Sequence, residues 1–151
     1  MPNNNPLSIV EQQSIAKAIL VLINTEYTGL PVDKIEYQSL DTERSSMSIY
    51  NLTGDSYIVQ RYINDSYVAV YKFSIVYRSI PTNTNQRVNC EELLNSISQW
   101  LVNSSIGKIL LTDNREVNSI EIISPPSLFK QYQNGSEDYH VILSLKYTKE
   151  E

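Results

Sequence analysis

The chain is short of the residues that most often carry chemistry or staples. It has one cysteine, Cys90, so no disulfide can form within it. It has one histidine, His140, which excludes a metal site built on a histidine pair. Glycine is scarce, with 4 in 151 residues, and no Walker loop, G-x-G-x-x-G or G-x-S-x-G motif is present. Basic runs are missing and the net charge is -5, so the chain lacks the clustered Lys and Arg with which proteins grip nucleic-acid phosphates. The longest strongly apolar run, Ala18 to Ile23, is far below the roughly 20 residues a membrane-spanning helix needs. The start, MPNNNPLS, has neither a basic nor an apolar signal region. These absences predict a soluble, unsecreted protein of the reducing cytoplasm, with no cofactor, no membrane partner and no catalytic constellation.

What is present is a length suited to one domain and a wealth of Tyr, Asn and Ser, with 11 tyrosines. Two prolines and three asparagines make residues 1–7 read as a flexible arm ahead of a single domain over residues 8–151. Ile9, Ile15, Ala16, Ile19, Leu22 and Ile23 recur at helical spacing, with Glu11, Gln12, Gln13 and Lys17 opposite. Ser8 and Glu11 have the S-x-x-E form of a capping box at its start. A second stripe, Val88, Leu93, Leu94, Ile97, Trp100 and Leu101, predicts another helix, capped from within TNTNQ.

Strands are expected at Lys34 to Ser39, Ser46 to Leu52, Val117 to Ile123 and Tyr139 to Tyr147. A long hairpin runs from Tyr57 to Ile63 and from Tyr67 to Ile80, turning at Asn64-Asp65-Ser66. No internal repeat is read. The fold class that follows is α+β, a mixed or mainly antiparallel sheet with a long β-hairpin and two helices packed on one face.

Candidate chemistry is thin. Glu137 and Asp138 are adjacent, so on a strand they face opposite ways and cannot serve one reacting atom. Asn134-Gly135 ahead of them predicts that they sit on a solvated hairpin turn. Cys90 on a helix face reads as a packing residue, and no local signature pairs it with His140. Asp113, Glu116 and Glu121 lack the dense ligand spacing of a calcium loop and read as surface charge. Tyrosines beside Arg61, Lys72 and Arg78 suit an interface better than nucleobase stacking in so acidic a chain. Asn51, Asn64, Asn103 and Asn134 each open a glycosylation sequon, a triplet that an Asn- and Ser-rich chain produces by chance.

Three ordered segments carry a more specific signal: QRYINDSYVAVYKFSIVYRS, a helix with EELLNSISQWL, and SIEIISPPSLFKQYQNGSEDYHVILSLKY. Together they span Gln60 to Tyr147, and they resemble a family of tailed-bacteriophage minor capsid or tail terminator proteins. Members of that family have a long hairpin ending like YKFSIVYR, a helix ending near a tryptophan, and a connection like PSLF followed by EDY before the last strand. They usually carry a glycine in the hairpin turn where Asp65 or Ser66 stands here.

The resemblance implies a structural protein of the phage neck. Such a protein forms a homohexameric ring that stops tail-tube growth, and it contacts the tail tube protein and the head-completion or connector proteins. It would be assembled in the bacterial host cytoplasm and reside in the virion, with DNA passing through the lumen without specific binding. An acidic or neutral lumen is expected, not one lined by Lys17, Lys34, Lys108 or Lys130.

Val68, Ala69, Val70 and Tyr71 are apolar on both faces of the hairpin, which a lone hairpin cannot hide; a partner surface is the simplest cover, and a hairpin folded back on the chain's own helices is the alternative. Arg61, Tyr62, Tyr67, Val70 and Tyr71 are therefore the expected interface residues. The competing reading is a small soluble enzyme or ligand-binding domain with a pocket of tyrosines and His140.

Overall fold

The computed structural model describes residues 5–104 and 108–151. In chain order the elements are β1 (Asn5–Pro6), α1 (Ile9–Glu26), β2 (Glu36–Tyr37), β3 (Ser46–Asn51), β4 (Tyr57–Arg61), β5 (Tyr67–Ser79), α2 (Thr84–Ser104), β6 (Arg115–Gln131) and β7 (Glu137–Lys149). The fold is α+β. Seven strands form one sheet, antiparallel except where β2 lies parallel to β3.

The long central pair is β5 with β7, in register from Tyr67 opposite Lys149 to Ser79 opposite Glu137. Alternation divides their side chains between two faces. Tyr71, Phe73, Ile75 and Tyr77 from β5 join Tyr139, Val141, Leu143 and Leu145 from β7 on the helix face, and all are buried. From α1 the residues Ile15, Ala16, Ile19, Leu22 and Ile23 enter this core, and from α2 the residues Leu94, Ile97 and Leu101. Trp100 and Leu93 pack at its margin, where Trp100 meets the ring of Tyr27 edge-on at 5.1 Å. Both helices thus cover one face of the sheet, because each apolar stripe needs the same apolar partner.

Both helix starts are capped as their sequences suggest. Ser8 Oγ accepts from the Glu11 amide at 3.1 Å, and Asn83 Oδ1 accepts from the Gln86 amide at 2.9 Å. The stripes shift at two positions. Val88 is exposed and Ser98 is buried instead, donating to the Leu94 carbonyl. Ile9 is exposed while Gln12, expected on the polar side, is buried and donates to the Leu7 carbonyl at 3.1 Å.

The reason for the second change is the arm. Asn5–Pro6 pairs with Tyr57 and Ile58 of β4, and Leu7 is buried. Residues 5–7 therefore belong to the domain, which corrects the boundary at residue 8. A strand pairing and one buried leucine hold down a segment whose composition alone reads as mobile.

β6 departs most from expectation. It extends from Arg115 to Gln131, beyond the strand expected at Val117 to Ile123 and straight through Pro125 and Pro126. Proline removes one ladder donor, which an edge strand tolerates on its outer side. β6 lies at the edge, and register shifts after Ile122 and Ser124 absorb the proline pair.

An internal duplication is also present, contrary to the reading of no repeat. Tyr57, Ile58, Gln60 and Arg61 pair with Val70, Ala69, Val68 and Tyr67; Ser127, Leu128, Lys130 and Gln131 pair with His140, Tyr139, Asp138 and Glu137. Each partner in the second set lies 70 residues beyond its counterpart, as Ser127 does beyond Tyr57. Even the bulge repeats, between Ile58 and Gln60 and between Leu128 and Lys130. A pseudo-two-fold axis passes between Phe73 and Leu143, which face each other at the middle of the central pair.

Candidate interaction surface and its polar clamps

The two hairpin turns are built alike, and the sequons are their signature. Asn64 Oδ1 accepts from the Ser66 amide at 3.2 Å and its hydroxyl at 2.6 Å. Asn134 does the same for Ser136 at 3.0 and 2.6 Å. This is the Asx turn, in which a short polar side chain replaces a missing backbone partner. Asp65 takes a φ of 70° and Gly135 a φ of 91°, so Asp65 stands where a glycine is the easier residue. Asn51 is likewise engaged inside the chain, accepting from Tyr71 Oη and donating to Tyr37 Oη.

Glu137 and Asp138 are not on the solvated turn expected for them. They open β7 and are 4% and 2% exposed. The opposite-face argument does hold. Asp138 lies on the face away from the helices, opposite Arg78, which grips it with two bonds of 2.7 and 2.8 Å. Tyr132 Oη donates to the same carboxylate at 2.6 Å and accepts from Arg78 at 2.9 Å, and the Arg78 guanidinium lies 4.7 Å from the Tyr132 ring centre. The bond to Asp138 holds the Arg78 pKa above its usual value.

Glu137 lies on the helix side and accepts from Arg87 of α2, Tyr139 and Gln131. Burial alone would raise its pKa, but these hydrogen bonds and the Arg87 charge outweigh it and hold the carboxyl below its ordinary range. No sequence-local signal could have revealed either clamp, because Arg78 and Arg87 are distant in the chain.

A third clamp sits at the start of α1. Glu11 Oε2 accepts from Tyr67 at 2.6 Å, from Arg115 at 3.2 Å and from Tyr147. Burial, reinforced by the Glu11 bond, pushes the Tyr67 phenol up to about 12. The glutamate half of the predicted capping box is thus turned to the sheet.

The five expected interface residues separate. Tyr67 and Tyr71 are buried within the chain's own core, so they are corrected to core residues. Their rings are covered because the helix face of β5 is covered. Arg61 and Tyr62 remain exposed near the turn, with the Arg61 guanidinium 5.3 Å from the Tyr67 ring centre. Val70 is half-buried and lies on the open face across from Lys146. That face also carries Val68, Ile142 and His140, and His140 stacks on half-exposed Phe129 at 4.3 Å.

Cys90 and His140 are on opposite sides of the sheet. Burial raises the Cys90 thiol pKa and lowers that of the His140 imidazole, so both are neutral at pH 7. A cleft of about 730 Å³ between α1 and residues 108–112 is lined by Lys17, Val21, Leu110 and Thr112 among others, and contains neither tyrosine nor histidine. Asp113 lies 3.5 Å from Arg115, while Glu116 and Glu121 are exposed along β6. No described helix is long and apolar enough to cross a membrane.

No protein-family model matches the chain, and no curated protein matches it.

Proposed function

We propose that this chain is a structural subunit of a tailed-phage neck, a tail terminator that assembles as a homohexameric ring on the tail tube and joins tail to head. The observation that carries the reading is the one-sided sheet. Both helices clothe one face, while the other presents half-buried Val68, Val70 and Ile142 beside exposed Phe129. That face is mixed, with Lys72, Ser144 and Lys146 around the apolar strip, and a strip left without helices suits a subunit that finds its cover in another molecule. The segments that carry the sequence resemblance coincide with the β4–β5 hairpin, α2 and the β6–β7 hairpin.

In this reading Arg61, Tyr62 and Val70 supply contact to a neighbour or to the tube, and the buried clamps hold the frame rigid. The acidic chain offers DNA no cationic grip during passage. Localising the chain in an electron-microscopy map of the assembled particle tests the proposal. Density for a ring of six copies between tube and connector supports it, and a position elsewhere or absence from the particle overturns it. A lumen lined by Lys17, Lys34, Lys108 or Lys130 would overturn the neutral-passage part alone.

A further inference from the structure

The two hairpin turns share one backbone and carry different surfaces. In each, a tyrosine amide donates to a serine carbonyl, Tyr62 to Ser66 and Tyr132 to Ser136, both at 2.9 Å. In each, the amide of the left-handed residue returns to the tyrosine carbonyl, from Asp65 and from Gly135, both at 3.1 Å. The second turn has the side chains an exposed turn favours, polar Gln133 and, at the left-handed position, Gly135. The first turn has Ile63 and Asp65 in those places. Ile63 is 105% exposed, so its own chain covers none of it, and residues 61–65 are all exposed. The fold requires neither departure, since the sister turn closes without them.

The cleft of about 730 Å³ beside α1 has the complementary surface. One wall is α1, with Lys17 and half-exposed Val21; the other is residues 108–112, with Lys108 and Leu110, which is 81% exposed. Among the described residues neither lysine is in an ion pair, and Glu26 is the one carboxylate in the lining. The cleft is therefore locally cationic in a chain of net charge -5. Large apolar side chains left open on facing walls mark a surface that another molecule covers.

We propose that this cleft receives the hairpin tip, residues 62–65, of a second copy of this chain. Ile63 enters between Val21 and Leu110, and the Asp65 carboxylate approaches Lys17 and Lys108. The occupant is argued from complementarity: the tip joins a bare apolar side chain to an acid two residues on, and the cleft joins bare apolar walls to two unpaired cations. The charges set partner and register, while the desolvated isoleucine supplies affinity. Tip and cleft are unlike surfaces, so the contact is head-to-tail and generates a ring when the rotation closes. The inference rests on the ring reading above and names a contact that builds it. It also covers Lys17 and Lys108, which keeps both out of the lumen.

The test uses full-length chains. Ile63→Cys and Val21→Cys are placed in separate copies and co-expressed. Oxidation is expected to give a crosslinked dimer from the mixture and none from either variant alone, since the native Cys90 is buried. Ile63→Gln/Asp65→Gly gives the first turn the side chains of the second. It should keep the circular dichroism of the wild type and raise the concentration needed for assembly at least about tenfold, as loss of an interface anchor does. Val21→Lys, at the receiving wall, should do the same.

A mixture that does not crosslink, or a crosslink from one variant alone, overturns the contact. Assembly of Ile63→Gln/Asp65→Gly at the wild-type concentration in native mass spectrometry also overturns it, while a wild-type ring leaves the ring reading standing. Loss of head-to-tail joining in the particle by Val21→Lys with its ring intact assigns the cleft to a different protein and overturns the contact as well. A wild-type chain that stays at 17.3 kDa in solution and in the particle overturns both.

Discussion

The two halves share one backbone plan and reverse its charges. In the first half an acid in the opening turn of a helix, Glu11, reaches the sheet and accepts from Tyr67, Tyr147 and Arg115. In the second half the opening turn of the helix carries a base, Arg87, and the acid, Glu137, is on the strand. Tyr67 and Glu137 are equivalent positions, the first residues of β5 and β7. A duplicated frame therefore needs a polar clamp between helix start and strand start, but not one particular sign. What is preserved is neutralisation, because an unpaired charge at either place would be costly.

The halves differ again on the open face. Arg78 and Asp138 pair across the central strands near one end of β5, while the corresponding station at the other end holds Val68 and Thr148. The first outcome to seek is the destabilisation caused by Arg78→Ala. It leaves Asp138 buried without its cation, so it should cost about 3–5 kcal/mol in urea unfolding, with Val68→Ala costing far less. Equal costs would break the comparison.

Glu11→Gln should come next, at about 2–3 kcal/mol, since it removes the charge shared by Arg115 and two phenols. Arg87→Ala should cost only about 1 kcal/mol, because Arg87 is nearly half exposed and Glu137 keeps Gln131 and Tyr139. If the two clamps proved equal, the reversal of sign would matter less than burial.

Glu137 sharpens the contrast through pH. Its folded pKa is depressed below the ordinary value of 4.5. A depressed carboxyl adds stability that is present above the unfolded pKa and is lost as pH falls through the folded one. Stability to urea should therefore fall as pH drops below about 4.5, and Glu137→Gln should flatten that part of the profile. An unchanged profile would show that the second clamp contributes no proton linkage.

The smallest effects belong to residues outside the duplicated clamps. His140→Ala and Cys90→Ser should leave assembly intact and cost about 1 kcal/mol or a little more, as ordinary substitutions do. On the open face, Val70→Asp and Arg61→Glu should impair ring formation while the monomer keeps its circular dichroism. Normal assembly by both would remove the first hairpin from the contact surface. Either His140→Ala or Cys90→Ser abolishing tail joining in a folded protein would revive a chemical role.

The sequence alone determined the local alphabet of this fold. Apolar spacing located α1 and α2, alternation located the central strands, and Asn-x-Ser with Asp65 or Gly135 located both turns. Those signals are local because a helix face repeats within four residues and a strand face within two. The tertiary structure decided which polar groups are interior. Glu137 and Asp138 follow a turn and read as solvated until Arg87 and Arg78 arrive from 50 and 60 residues away. It also decided that Pro125 and Pro126 lie within a strand, since only an edge makes their missing donors harmless. The duplication is faint in sequence for a related reason. Tyr62, Asn64, Ser66, Ser74 and Tyr77 recur as Tyr132, Asn134, Ser136, Ser144 and Tyr147, but most other positions differ. Backbone register needs only the right pattern of apolar faces and turns, and many side chains supply the same pattern.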